Sequence, residues 1–229
     1  MPIFPIGSKV REGAKVATWA SRLVRMHVFG LTGGIASGKS AVAARIRTQG
    51  IPVIDADQLS RDAVRVGTDG LREIVLAFGD GVLQPDGALD RKKLAAMVFG
   101  DDDRRRILNR IVHPIVGRLS MEATEAYRAA GEPLVCYEAP LIVENGMADT
   151  FRPLIVVSAP EDMQVERAIR RDGATREDAL ARIRAQLPLA TKVAAADHVI
   201  ENTGTLEELH RRTDEVLTAI RGVLSSSAR

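Results

Sequence analysis

Gly33-Gly34-Ile35-Ala36-Ser37-Gly38-Lys39-Ser40 reads G-x-x-x-x-G-K-S, the phosphate-binding P-loop pattern. The apolar run Val28-Phe29-Gly30-Leu31 precedes it and the helical pattern Ala41 to Arg47 follows. Strand, loop and helix in that order are the context the motif requires. Glycines let backbone amides wrap around an anion, and a helix starting near Gly38 adds the positive end of its dipole. Lys39 reaches outer phosphates, and the Ser40 hydroxyl suits Mg²⁺.

Outward from this loop, strand and helix patterns alternate, as in a parallel sheet with helices on its faces. Expected strands are 27–31, 51–54, 134–137, 154–157 and 198–200, bounded by Gly50, Gly131, Pro140, Pro153 and Pro160. Gly50 is placed to close the P-loop helix. The last helix should start at Thr205, where Glu208 three residues on completes a capping box. Residues 57–130 and 161–196 interrupt the alternation with helical stretches, including 91–99 and 104–128. The fold class is therefore α/β, a five-stranded parallel sheet flanked by helices and built on the P-loop. The first insertion reads as an acceptor-binding region and the second as a lid, within a domain spanning 27–224. Residues 225–229 read as a frayed tail.

Composition narrows the function. The 229 residues are 45% hydrophobic and 27% charged, with net charge +2, which suits one or two globular domains. Dispersed basic residues and 3% aromatics argue against a nucleic-acid surface. No apolar stretch reaches the length of a membrane span. Cys136 is the single cysteine and lies in an apolar run, so it reads as a buried, inert thiol in a reducing compartment, the cytoplasm. Residues 1–26 are basic, with apolar positions from Val16 to Val24 at helical spacing. A targeting or membrane-surface segment and a plain extension before Met26 are both open, and the extension is favoured because the P-loop strand begins directly after Met26.

Other candidate groups follow from position. Ligands of a parallel sheet bind beyond its carboxyl edge, and the second strand delivers Asp55-Ala56-Asp57 there. If the chain stays extended the two carboxylates share a face; if it turns, Asp57 caps the next helix. A carboxylate at this place can accept or orient the proton of an attacking hydroxyl. Asp55 could hold a metal-bound water or position Asp57. Glu138, ending the third strand, is either an acid near Mg²⁺ or an ordinary strand-end charge, and Glu144 is a helix-surface acid or a functional one. Residues 161–187 contain six arginines and six acids, so Arg167, Arg170 and Arg171 belong either to a solvated, ion-paired surface or to a lid closing over phosphate. His113 reads as a partly buried structural residue, and Pro114 as the start or kink of a helix.

The combination of Gly30 through Ser40, Val53-Ile54-Asp55-Ala56-Asp57, Asp90-Arg91-x-x-Leu94, His113-Pro114, Pro140-Leu141-Ile142-Val143-Glu144, the stretch Arg167 to Asp172 and Ala196 through Gly204 resembles the dephospho-CoA kinase family. The resemblance spans about residues 27–220. It implies phosphoryl transfer from ATP, with Mg²⁺, to the ribose 3′-hydroxyl of dephospho-CoA, the last step of coenzyme A biosynthesis. Gly34, Ile35, Ala36, Ser37, Gly38, Lys39 and Ser40 would bind ATP. Asn202 to Gly204 would flank its adenine. Asp57 would face the hydroxyl, Arg167 and Arg171 would act from the lid, and Arg91 and His113 would line the acceptor site. No nucleic acid, membrane or obligatory protein partner is expected. Ala36 stands where the family commonly has Gly, and it fits only at negative φ. From the residues alone, a kinase of another alcohol or nucleoside and a nucleotide-dependent switch stay open; the absence of an N-K-x-D pattern counts against a GTPase switch.

Overall fold

The computed structural model describes residues 26–227. The basic stretch before Met26, and any amphipathic helix in it, lies outside the described residues. In chain order the elements are β1 (His27–Gly33), α1 (Lys39–Thr48), β2 (Val53–Asp55), α2 (Ala56–Asp62), α3 (Asp69–Phe78), α4 (Arg91–Val98), α5 (Asp102–Ala129), β3 (Leu134–Glu138), β4 (Leu154–Ser158), α6 (Glu161–Asp172), α7 (Arg176–Arg184), α8 (Leu189–Ala194), β5 (His198–Glu201) and α9 (Leu206–Ser227). The five strands form one sheet in the order β2-β3-β1-β4-β5, and every pairing is parallel.

The central strands owe their place to composition. β3 and β4 are buried at every position, the mark of strands covered on both faces. Alternation then sorts their side chains between two cores. Cys136, Ile155 and Val157 join Phe29 and Leu31 against Val42, Ala43 and Ile46 of α1 and Leu209, Leu217 and Ile220 of α9. Val135, Tyr137, Leu154 and Val156 face the other way, toward Tyr127 of α5 and Leu189 and Val193 of α8. Each fully buried aliphatic among them contributes about 1.5–3 kcal/mol. A separate helical core lies in the insertion after β2, built from Leu71, Ile74, Val82 and Leu94 packed against Leu108, Ile111, Val112 and Ile115 of α5.

Differences from the sequence expectations are local. β1 runs on to Gly33 because its end pairs with Val156 and Val157 of β4. β2 begins at Val53 rather than Ile51: the Ile51 N–H is still bonded to the Ile46 carbonyl of α1, and Pro52 contributes only its carbonyl, to Cys136 N. Of the two roles expected for Pro114, it does not start a helix but lies inside the 28-residue α5. It sits on the exposed side, where a carbonyl that loses its helical N–H partner can turn to water. His113 beside it is exposed, not partly buried. α9 continues to Ser227, so the expected tail at 225–229 is helical through its first three residues.

Candidate active site

The site is built around the turn from β1 into α1. Close packing demands glycine at its first position: a Cβ on Gly33 would lie 2.6 Å from the Val157 carbonyl oxygen and 2.7 Å from Ser37 Oγ. The turn is tied by the Ser37 N–H donating to the Gly34 carbonyl at 3.1 Å. Ala36 has φ of 55° and Gly38 has φ of 98°. The negative φ expected for Ala36 is therefore overturned. Alanine occupies the small left-handed region allowed to non-glycine residues, at a cost of about 1 kcal/mol. Gly38 caps α1 with no side-chain hydrogen bond and no acid stands in the first turn, so the helix's first amides and its positive dipole end stay available to an anion.

The cations and carboxylates converge through sheet register. Lys39 Nζ donates to Glu138 Oε1 at 2.6 Å, and Arg47 Nη2 stands 3.6 Å from Glu138 Oε2. Glu138 is buried at the end of β3. Its Cα partners are Leu31 on one side and Asp55 on the other. The P-loop lysine and the D-A-D segment thus lie at the same carboxyl edge, on either side of β3 and its Glu138. At that edge the chain turns, and it is Asp55, not Asp57, that caps α2: the Asp55 side chain accepts the Gln58 N–H at 2.9 Å. Asp57 lies in the first turn of α2, where the helix dipole favours a carboxylate. Burial pushes the Cys136 thiol well above its usual range, with neighbouring Glu138 adding to the effect, which suits an inert residue.

A second set of contacts secures the loop from the other side. Asn202, buried just past β5, donates from Nδ2 to the Ser37 carbonyl at 2.8 Å, and a Cβ on Gly38 would collide with that same amide nitrogen. The Asn202 carbonyl accepts from Arg167 Nη2 at 3.1 Å. Arg167 Nη1 is buried with no protein partner among the described residues. Arg167 is therefore joined to the loop through Asn202. Arg171, one turn further along α6, is exposed and forks onto Asp172 at 2.7 and 2.9 Å, which holds its guanidinium pKa up. A Cβ on Gly204 would clash only with the carboxylate end of the Glu208 side chain, which can move aside. Arg91 begins α4 and donates weakly to the Arg61 carbonyl at 3.4 Å. Arg91 and His113 both belong to the helical insertion, Arg91 in α4 and His113 in α5.

Three residues escaped the sequence reading. Gln164 of α6 donates to the Ala159 carbonyl at 2.7 Å, and its Oε1 stands 2.8 Å from where a Gly34 Cβ would be. Gln186, between α7 and α8, accepts the Ile35 N–H at 3.1 Å. Lys192 of α8 is 1% exposed and pairs with Glu144 at 2.6 Å. Glutamines carry no spacing signal. Lys192 did offer one, as a lone cation in the apolar run Leu189-Ala190-Thr191-Lys192-Val193-Ala194.

Among the described residues no group of three or more His, Cys, Asp or Glu side chains could hold a metal. What the chain offers Mg²⁺ is the Ser40 hydroxyl in the first turn of α1. That donor set fits an ion that keeps several waters and arrives on phosphate oxygens. Both Glu138 oxygens face cations. No helix among the described residues is long and apolar enough to cross a membrane.

A parallel sheet whose central strand feeds a G-K-S loop, with carboxylates from the next two strands on one side at the same edge, defines a P-loop kinase. Residues 27–208 match the family model described as dephospho-CoA kinase. A dephospho-CoA kinase of Anaeromyxobacter dehalogenans is 50% identical over 197 residues, covering 86% of this chain and 93% of that relative. The structure of TT1252 from Thermus thermophilus superposes with a TM-score of 0.75 at 40% identity, covering 85% of this chain and 97% of that one. The dephospho-CoA kinase from Campylobacter jejuni gives 0.63 at 26% identity, with 84% and 96% covered. The chain belongs to the dephospho-CoA kinase family.

Proposed function

We propose that this protein transfers the terminal phosphoryl group of ATP to the ribose 3′-hydroxyl of dephospho-CoA, giving CoA and ADP. The observation that carries the reading is the shared edge: Lys39 sits 2.6 Å from Glu138, which is in register with Asp55, two residues before Asp57. The reading is supported by the sheet bringing the phosphate cradle and the start of α2, which carries Asp57, to one edge.

The chemistry needs positioning and charge neutralisation more than covalent help. Backbone amides of 34–40 hold the phosphate tail, and Lys39 exchanges Glu138 for phosphate oxygen. Glu138 serves as the tether that keeps the ammonium aimed at the loop. Asp57 orients the hydroxyl and takes its proton as the oxygen bonds to phosphorus and the bond to the ADP oxygen breaks. Arg167 adds positive charge from α6, and Arg171 joins it when it leaves Asp172. Asn202 and Gly204 border the nucleotide from behind the loop. The Ser40 hydroxyl would hold Mg²⁺ on the nucleotide, and that ion would supply further neutralisation. The helical core of 57–130, with Arg91 and His113 on its surface, receives the acceptor, and residues 161–196 form the lid. The buried, unpaired Cys136 supports a reducing, cytoplasmic setting.

The test incubates the protein with ATP, Mg²⁺ and dephospho-CoA and reads product by mass. CoA and ADP in equal amounts support the reading. Phosphorylation of another alcohol in an acceptor panel, with dephospho-CoA untouched, would assign a different kinase. ATP hydrolysis indifferent to every acceptor would point to a switch.

A further inference from the structure

The P-loop carries an intramolecular occupant. The Ile35 N–H, third residue of the G-x-x-x-x-G-K-S loop, donates to Gln186 Oε1 at 3.1 Å. A backbone N–H requires an acceptor opposite it, so the oxygen end of the glutamine amide faces the loop. Gln186 lies 151 residues away in sequence, on the short connector between α7 and α8, and is half-buried.

That connector is itself pinned. The Leu187 N–H donates to Glu144 Oε1 at 3.3 Å. The same oxygen receives Lys192 Nζ at 2.6 Å, and Lys192 also donates to the Pro140 carbonyl at 3.1 Å. The Pro140 carbonyl in turn accepts Thr32 Oγ1 of β1 at 3.1 Å. Polar contacts thus run in a ring from Thr32, through the loop after β3 and the α7–α8 connector, back to Ile35. Thr32 and Lys192 are both fully buried. A ring with buried polar members is rigid where it is satisfied. The Ile35–Gln186 bond is the link that lies on the loop itself, where a phosphate oxygen can take the place of the amide oxygen.

We propose that Gln186 is a positioning residue for the nucleotide, a latch whose carbonyl oxygen holds the Ile35 amide until a phosphate oxygen displaces it. The proposal rests on the reading of residues 33–40 as the ATP cradle. Displacement frees the connector from the loop while Glu144 and Lys192 keep its base in place, so nucleotide entry and movement of α7 are coupled through one hydrogen bond. Because the cradle competes with its own side chain, the apparent affinity for ATP is reduced by the fraction of molecules that are latched.

The experiment measures ATP binding by titration calorimetry on the full chain and on Gln186→Ala and Gln186→Glu, with amide exchange at Ile35 followed by NMR. Gln186→Ala is expected to bind ATP about two- to tenfold more tightly, the range one net hydrogen bond allows, and to exchange the Ile35 amide faster without nucleotide. Gln186→Glu offers the amide a stronger acceptor and the phosphates a like charge, so its binding should weaken. If Gln186→Ala binds ATP equally or more weakly while the unaltered chain binds it, the latch is overturned, and a weaker variant makes Gln186 a ligand of the nucleotide instead. If no chain binds ATP, the cradle reading falls and takes the latch with it. Unchanged exchange at Ile35 in Gln186→Ala would also overturn it.

Discussion

At the scale of single residues, the site divides into groups whose chemistry was written in the sequence and groups whose role depends on a neighbour. Lys39 and Asp57, in the roles proposed for them above, belong to the first kind. Lys39→Ala removes the cation aimed at the outer phosphates and should lower kcat by about 10²–10³-fold, with the fold intact by circular dichroism. Turnover at the original rate would discard the assignment of the loop. Asp57→Asn keeps shape but cannot take a proton, so kcat should fall by about 10²–10⁴-fold while KM for ATP stays close to its starting value. A defect confined to ATP affinity would make Asp57 a structural residue. Ala36 is the second kind. Its identity was visible, but its φ of 55° is decided by the loop around it. Ala36→Gly relieves left-handed strain of about 1 kcal/mol and adds unfolded-state entropy of about 0.4–1 kcal/mol. The two nearly cancel, so stability by denaturant titration should move by less than about 1 kcal/mol. A loss well beyond that would mean the alanine methyl, packed beside Val165 and Ala168, matters more than the backbone.

Among elements, legibility followed local chemistry. The capping box at the start of α9 is present as read, with Thr205 N–H donating to Glu208 Oε2 at 2.7 Å and Glu208 N–H to Thr205 Oγ1 at 3.2 Å. The cap on α2 went to Asp55 instead of Asp57 because α2 begins at Ala56, directly after β2 ends at Asp55. Contacts between distant elements were not readable. The Arg-rich helices after β4 could be ion-paired or phosphate-directed, and here Arg176–Asp162 at 3.1 Å and Arg182–Asp172 at 3.3 Å are ion pairs while Arg167 turns inward. Exposed pairs of this sort contribute little. The buried pair between α8 and the loop after β3 is different. Glu144→Ala leaves Lys192 charged and enclosed, and should cost about 3–5 kcal/mol in unfolding free energy. A loss under about 1 kcal/mol would show that the ammonium finds water or the Pro140 carbonyl sufficient.

For the molecule as a whole, the alternation of strand and helix patterns disclosed the parallel sheet, but not its order. Nothing in the strand segments themselves states that β3 inserts between β1 and β2, because that depends on which faces meet across the insertion. Acid sensitivity is also a property of the assembled sheet. Burial pushes the Asp197 carboxyl up, yet hydrogen bonds from Arg152 and the Leu154 N–H outweigh it and hold the pKa below the usual value. A lowered folded-state pKa gives stability that is fully present above the unfolded value of about 3.9 and is lost as pH falls through the folded one. Asp197→Asn should therefore melt below the unaltered chain at neutral pH, with the gap closing as pH falls below about 4. A gap independent of pH would assign the loss to packing instead.

The cover of α1 comes from the far end of the chain: Leu209, Leu217 and Ile220 of α9 close the core over Val42, Ala43 and Ile46. During synthesis the phosphate-binding segment leaves the ribosome early, yet its supporting helix stays bare on one side until α9 emerges. Competence to hold nucleotide is thus acquired late, and a nascent chain stalled before Leu206 should fail to be retained on an ATP resin that captures the full chain.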